Sequence, residues 1–218
     1  MGTIRAVVWD LDGTLLNTLD DLTNSLNMAL RENGLREHPR EQVRKMVGNG
    51  TRMLIIRAIP EGEKNERFQA VYDAFVRAYA VHSKDCTKPY EGIPELLSHL
   101  RSRGICHAVV SNKIDFAVQE LCREYFGERI SVSVGDDPSR ARKPAPDSVF
   151  TALERMNVSP AEAVYVGDSD VDIQTAANAG IPGIGVLWGF RDRENLEAAG
   201  ARYVVSSPAE LEQLILSL

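Results

Sequence analysis

The sequence places Asp10-Leu11-Asp12-Gly13-Thr14 directly after the apolar run Ile4 to Trp9, and Ser111-Asn112-Lys113 after Cys106 to Val110. Gly167-Asp168-Ser169-Asp170-Val171-Asp172 follows Ala163 to Val166, and Arg142-Lys143-Pro144-Ala145-Pro146-Asp147 lies between the last two clusters. Carboxylates grouped in this way can hold a hard divalent cation, which prefers oxygen ligands. A hydroxyl and an ammonium beside them can meet an anion. Each cluster also has a plainer explanation. Asp-Gly is a common turn dipeptide, acids in the first turn of a helix meet its dipole, and Lys143 or Ser111 alone would pass for a surface lysine and a cap. The plainer explanations leave one fact over: these groups end different strands of one expected sheet, at the edge where ligands of parallel sheets gather.

The elements that must position them follow from the pattern around them. Short β-branched runs at Ile4 to Trp9, Cys106 to Val110, Ile130 to Val134, Ala163 to Val166, Ile184 to Leu187 and Arg202 to Val205 alternate with amphipathic stretches ended by Gly or Pro. That alternation predicts an α/β fold with a doubly wound, Rossmann-like parallel sheet, its strands covered on both faces. Leu96, Leu97 and Leu100 have helical spacing and stop at Gly104, a natural residue after a helix end. Ser159-Pro160-Ala161-Glu162 and Ser207-Pro208-Ala209-Glu210 each carry the cap, proline and glutamate that open a helix. From about Leu19 to Lys88 the texture changes, with Leu22, Leu26, Ala29 and Leu30, then Phe68, Val71, Tyr72, Phe75 and Tyr79 at helical spacing. The expected organisation is a core of residues 1–16 and 91–218 with an α-helical cap domain, 17–90, inserted between the first two strands of the sheet.

Composition narrows the partners. The chain has 218 residues, 25 Lys and Arg against 31 Asp and Glu, and a net charge of -6. An acidic surface without a basic run offers no footprint for nucleic acid or an anionic membrane, so a small molecule is the expected partner. No apolar stretch approaches the length of a membrane span. The three cysteines lack paired spacing, which argues against a disulfide framework or zinc site and for a cytoplasmic setting.

Four blocks in order, DLDGT at 10–14, VVSN at 109–112, KPAP at 143–146 and GDSDVD at 167–172, resemble the haloacid dehalogenase-like hydrolases, most of which are magnesium-dependent phosphatases. The resemblance spans nearly the whole chain. It implies that Asp10 is the nucleophile, attacking phosphorus to give an aspartyl-phosphate that water then hydrolyses, and that Asp12 is the general acid and base. It implies Mg²⁺ held by Asp10, Asp168, the backbone carbonyl of Asp12, and Asp172 at the ion or its waters. Physical reasoning agrees: a dianionic ester repels an attacking carboxylate unless a cation intervenes. Ser111 and Lys143 would then meet the phosphoryl oxygens, with the backbone at Asn112 adding to phosphate binding.

Substrate choice is expected to lie in the inserted segment. Val47-Gly48-Asn49-Gly50-Thr51-Arg52 resembles the VGNG-type segment of the family's phosphoglycolate phosphatases, as does Trp188-Gly189-Phe190 after a late strand. Gly48, Asn49 and Gly50 read as a turn at a helix N-terminus suited to a small anion, with Arg52 able to meet a carboxylate. A helix-turn-helix loop with an exposed arginine reads the same residues without a substrate. The leading expectation is a phosphatase of a small phosphorylated metabolite, phosphoglycolate first. A β-phosphoglucomutase-like phosphotransferase, a phosphonatase and a non-catalytic phospho-acceptor switch stand as alternatives. Asp12 and the long insertion count against the switch.

Overall fold

The computed structural model describes residues 3–218. Residues 1 and 2, which open the expected core segment, lie outside the described residues. In chain order the elements begin with β1 (Ala6–Trp9), β2 (Leu16–Asn17), α1 (Leu19–Glu32), α2 (Arg40–Met46), α3 (Gly50–Ala58), α4 (Phe68–His82), β3 (Lys88–Pro89), α5 (Ile93–Ser102) and β4 (Cys106–Ile114). They continue with α6 (Asp115–Phe126), β5 (Val132–Asp136), α7 (Asp147–Met156), β6 (Ala163–Gly167), α8 (Asp170–Ala179), β7 (Gly183–Val186), α9 (Arg193–Ala198), β8 (Tyr203–Val205) and α10 (Pro208–Ser217).

The chain divides into two compact units, one formed by the chain up to Leu16 together with Pro89–Leu218, the other by Asn17–Lys88. The first is a Rossmann-like α/β unit. Its six-stranded sheet has the order β5-β4-β1-β6-β7-β8, all parallel. Side chains alternate across a strand with period two, and β1 uses both faces: Val7 and Trp9 join one core cluster, Ala6 and Val8 the other. The first cluster is completed by Leu96, Leu97 and Leu100 of α5, Val118, Leu121 and Phe126 of α6, and Leu211 and Ile215 of α10. Val149, Ala152 and Leu153 of α7 with Ala176 and Ala179 of α8 complete the second. All four residues of β1 are fully buried, which is why the strand reads as a continuous apolar run.

Because β1 lies between β4 and β6, the strand order reverses at its carboxyl end, the place where such sheets form their crevice. The register brings Trp9 level with Val109 on one side and Val166 on the other. Asp10, one residue past Trp9, and Ser111 and Asp168, two residues past Val109 and Val166, therefore lie at the same edge of the sheet.

The second unit is helical. Leu22, Leu26, Ala29 and Leu30 of α1 and Phe68, Val71, Phe75 and Tyr79 of α4 are buried, as their spacing predicts, whereas Tyr72 is only half-buried and Ala74 takes a core position in addition. Asp21, fully buried in α1, accepts hydrogen bonds from the backbone N–H groups of Cys86 at 2.9 Å and Thr87 at 2.8 Å, tying the unit's last residues to its first helix.

Two local expectations are corrected. The strand expected from Ile130 starts at Val132. The Ser159 signal, although its capping box is fully formed, opens only the 3-10 turn Pro160–Glu162. The residues that would continue a helix there, Ala163 onward, are claimed by β6 in register with β1. The same four-residue signal at Ser207 opens the ten-residue α10.

Candidate active site

The groups that end β1, β4 and β6 meet around one buried ammonium. Lys143 Nζ donates to Asp10 Oδ1 at 2.7 Å, to Asp172 Oδ1 at 2.8 Å and to the Tyr165 hydroxyl at 3.0 Å. Asn112 fixes where that lysine stands: its carboxamide accepts from the Lys143 N–H at 2.9 Å and donates to the Lys143 carbonyl at 3.1 Å. The side chain of Asn112 thus serves Lys143, leaving only its backbone for an anion. Ser111 is buried beside it within β4, which runs on to Ile114 instead of ending at Val110 as expected.

Asp168 is held on both oxygens. Thr14 Oγ1 donates to Oδ1 at 3.2 Å, and the Phe190 N–H donates to Oδ2 at 2.6 Å. The Trp188 indole donates to the Thr14 carbonyl at 2.9 Å, so the Trp188-Gly189-Phe190 segment is part of the frame around Asp168. Gly13, at φ +90°, has no side chain because any Cβ there would run into the Asp168 carboxylate. Asp172 accepts from the Ser169 hydroxyl at 2.6 Å and the Ser169 N–H at 3.0 Å while Ser169 caps α8, so one carboxylate both caps the helix and faces Lys143. Asp170 is a half-buried first-turn acid of that helix, 3.6 Å from Arg191.

Asp10, Asp168 and Asp172 each offer one carboxylate oxygen within 4.8 Å of the others. Burial, together with the charge of Asp172, pushes the Asp10 carboxyl well above the usual range although Lys143 pulls it down. Burial and Asp172 push Asp168 up to about 7. Lys143 is held well above the ordinary lysine range: burial alone would lower it, but Asp10 and Asp172 outweigh burial. Three buried carboxylates lie within reach of one another, two of them bonded to Lys143, and their donor set is all oxygen, which fits a hard divalent cation. Asp12 takes a different position from the other acids: its Oδ1 lies 2.9 Å from Lys113 Nζ, outside the triad.

The residues expected to select substrate stand within the helical unit. Gly48 and Gly50 adopt φ +122° and +80° on either side of Asn49, which precedes α3. Arg57 braces this turn, donating to the Met46 carbonyl at 2.7 Å and to Asn49 Oδ1 at 2.6 Å. Arg52 donates to Glu63 at 2.7 Å and lies 5.0 Å over the Phe68 ring. Its charge is already matched by a neighbour in its own unit.

Sequence reasoning missed Tyr165, Lys113 and Arg57. Tyr165 was legible only as one apolar residue of a buried strand, and Arg57 only as a helix residue. Lys113 was in view at a strand end, yet nothing local tells that its ammonium is buried against Asp12.

The chain is similar to known proteins. Residues 7–186 match the family described as haloacid dehalogenase-like hydrolase. A phosphoglycolate phosphatase of Xylella fastidiosa is 35% identical over 193 residues, 88% of this chain and 83% of the relative. An N-acetylmuramic acid 6-phosphate phosphatase of Pseudomonas aeruginosa is 31% identical over 211 residues, 95% of this chain and 93% of the relative. A crystal structure from Lactobacillus delbrueckii subsp. bulgaricus superposes with a TM-score of 0.96 at 34% identity, covering 100% of both chains.

Proposed function

The chain belongs to the haloacid dehalogenase-like hydrolases, and on that footing we propose that it is a Mg²⁺-dependent phosphatase of small phosphorylated metabolites, with phosphoglycolate the leading substrate. The observation that carries the reading is the grouping of Asp10, Asp168 and Asp172 at the strand-order reversal, with Lys143 bonded to Asp10 and Asp172. In this reading the core unit does the chemistry and the helical unit is the cap that selects substrate. Gly48, Asn49 and Gly50 form the contact turn and Arg52 borders it. The three cysteines are free thiols, which suits the reducing cytoplasm.

Asp10, Asp168 and Asp172 would hold Mg²⁺, with the Asp12 carbonyl beside them; the ion supplies positive charge that lets a carboxylate approach a dianionic ester. Lys143 and Ser111 bind the phosphoryl oxygens and hold phosphorus in line with Asp10. A carboxylate oxygen of Asp10 forms a bond to phosphorus as the ester P–O bond breaks, and the departing alkoxide takes a proton from Asp12. Asp12 then takes a proton from water, whose oxygen bonds to phosphorus as the bond to Asp10 breaks. Phosphate leaves and Asp10 is restored.

The test is phosphate release from phosphoglycolate, N-acetylmuramic acid 6-phosphate and simple phosphate esters, with Mg²⁺ or with EDTA, by the natural chain and Asp10→Asn. Metal-dependent release that vanishes in the variant is the expected result. Release that survives the substitution would remove Asp10 as nucleophile, and hydrolysis of no ester would overturn the reading. Preference for the sugar phosphate over phosphoglycolate would replace the leading substrate and leave the mechanism standing.

A further inference from the structure

The long strand β4 runs past Val110, with a shift of register against β5 before Ile114, and delivers Ser111, Asn112 and Lys113 in succession, all buried. Ser111 and Asn112 have roles above. Lys113 does not. Lysine is among the residues least often buried, and a buried ion pair loses in desolvation most of what it gains in attraction. A second buried ammonium at this edge, with its side chain 7% exposed and its Nζ 2.9 Å from an Asp12 carboxylate 16% exposed, is therefore a costly element that the phosphoryl chemistry leaves unused.

The two lysines divide the site by which acid they meet. Lys143 stands with Asp10 and Asp172, on the side of the nucleophile. Lys113 stands with Asp12, the acid that must reach the ester oxygen if the reaction runs as proposed. A group within hydrogen-bond distance of that acid is within reach of whatever the ester oxygen carries next. We propose that Lys113 is a specificity-determining residue that binds an anionic group on the leaving alcohol, one carbon removed from the ester oxygen, so that the substrate class is the phosphate ester of a 2-hydroxy acid. The assignment deepens the phosphatase reading and rests on it. In phosphoglycolate a single methylene separates the ester oxygen from the carboxylate, so one ammonium beside Asp12 can reach it. In N-acetylmuramic acid 6-phosphate the carboxylate belongs to a side chain across the sugar ring from the phosphate, out of that reach. The requirement for a second cation is electrostatic: a carboxylate entering a pocket already rich in acids needs a partner there.

The experiment compares phosphoglycolate with ethyl phosphate, which has the same ester carbon and no carboxylate, in the natural chain, Lys113→Met and Lys113→Arg. Methionine keeps the apolar stem and removes the charge, and the ratio of kcat/KM for the two esters within each variant cancels any effect of leaving Asp12 without its partner. The expected result is a fall of roughly 30-fold in that ratio for Lys113→Met, carried by KM for phosphoglycolate, with partial recovery in Lys113→Arg. Equal loss for both esters would overturn the assignment and leave Lys113 as a support for Asp12. The phosphatase reading falls only if no ester of the wider panel is hydrolysed; should the natural chain hydrolyse neither of these two, calorimetric binding of both in Mg²⁺ decides the lysine separately: a preference for phosphoglycolate that Lys113→Met abolishes supports it, and equal affinities overturn it.

Discussion

The carboxamide of Asn112 grips the backbone of Lys143 at both ends, accepting from its N–H and donating to its carbonyl across 31 positions of sequence. The ammonium at the centre of the site is thus located by its main chain as well as by the carboxylates it meets. Asn112→Ala removes both bonds and leaves a buried N–H and C=O unpaired. The expected loss of stability is about 2 kcal/mol, and kcat should fall more than KM rises if Lys143 stabilises the transferring group as proposed. Urea unfolding and steady-state kinetics on the same variant check both parts; kinetics unchanged at a lowered stability would show that Lys143 keeps its place without the grip.

Tyr165 stands behind the same lysine. Its hydroxyl accepts from Lys143 Nζ at 3.0 Å and has a single proton to give, for which Asp172 Oδ1 at 3.2 Å and the Val110 carbonyl at 3.3 Å compete. Tyr165→Phe keeps the ring in the core and deletes only this junction. We expect kcat to drop roughly tenfold, the effect of one lost hydrogen bond to a charged group, with a small change in melting temperature. A large drop in melting temperature with normal kcat in the folded fraction would make the hydroxyl a structural tie alone.

What was legible in the sequence, and what was not, divides by range. The strands were legible because apolar β-branched runs bounded by polar clusters are a local signal, and the acids of the site were legible because they end those strands. Tyr165 carries no such signal: its partners lie 7, 22 and 55 positions away, and only the closed sheet brings them to one point. The pair of Ser-Pro-Ala-Glu segments shows the same limit from the other side. Both cap correctly, but only the one at Ser207 continues as a helix, since the residues after Glu162 lie in register with β1. A cap starts a helix; the tertiary fold decides how far it runs.

His107 gives the chain a stability that depends on pH. The Trp9 indole donates to His107 Nδ1 at 3.2 Å, so Nδ1 must be the acceptor, and Nε2, 3.1 Å from the Leu97 carbonyl, carries the proton. Burial pushes the imidazole down to about 4, since a second proton would face the indole N–H. The unfolded chain takes up that proton near pH 6.5 and the folded chain does not, so this stability is complete above pH 6.5 and is lost as pH falls toward 4. The full loss is about 3 kcal/mol. His107→Gln can still accept and donate but does not titrate. The difference in unfolding free energy between the natural chain and this variant, followed from pH 7.5 to 4.5, should shrink by most of that amount; a constant difference would mean that His107 takes up its proton as readily in the fold as in the unfolded chain.

Arg57 should govern the turn that separates α2 from α3. Two glycines at positive φ make Gly48-Asn49-Gly50 easy to deform, and within that turn Asn49 makes no side-chain cap bond to its helix. The guanidinium instead spans the Met46 carbonyl and Asn49 Oδ1. With its oxygen accepting from Arg57, the Asn49 carboxamide keeps its NH₂ end as the donor, the polarity an anionic substrate needs. Arg57→Ala should raise amide exchange across residues 46–51 by roughly tenfold, the effect of losing about 1 kcal/mol of local order, while global stability barely moves because the side chain is exposed. Lys in its place should restore little, since Arg57 reaches the two acceptors from two separate nitrogens of a planar fork and lysine has a single nitrogen on a flexible stem. If the turn contacts substrate as proposed, KM for the preferred ester rises several-fold in both variants and kcat holds. Faster exchange with an unchanged KM would leave Arg57 as a brace of the helical unit and remove Asn49 from the set of substrate contacts.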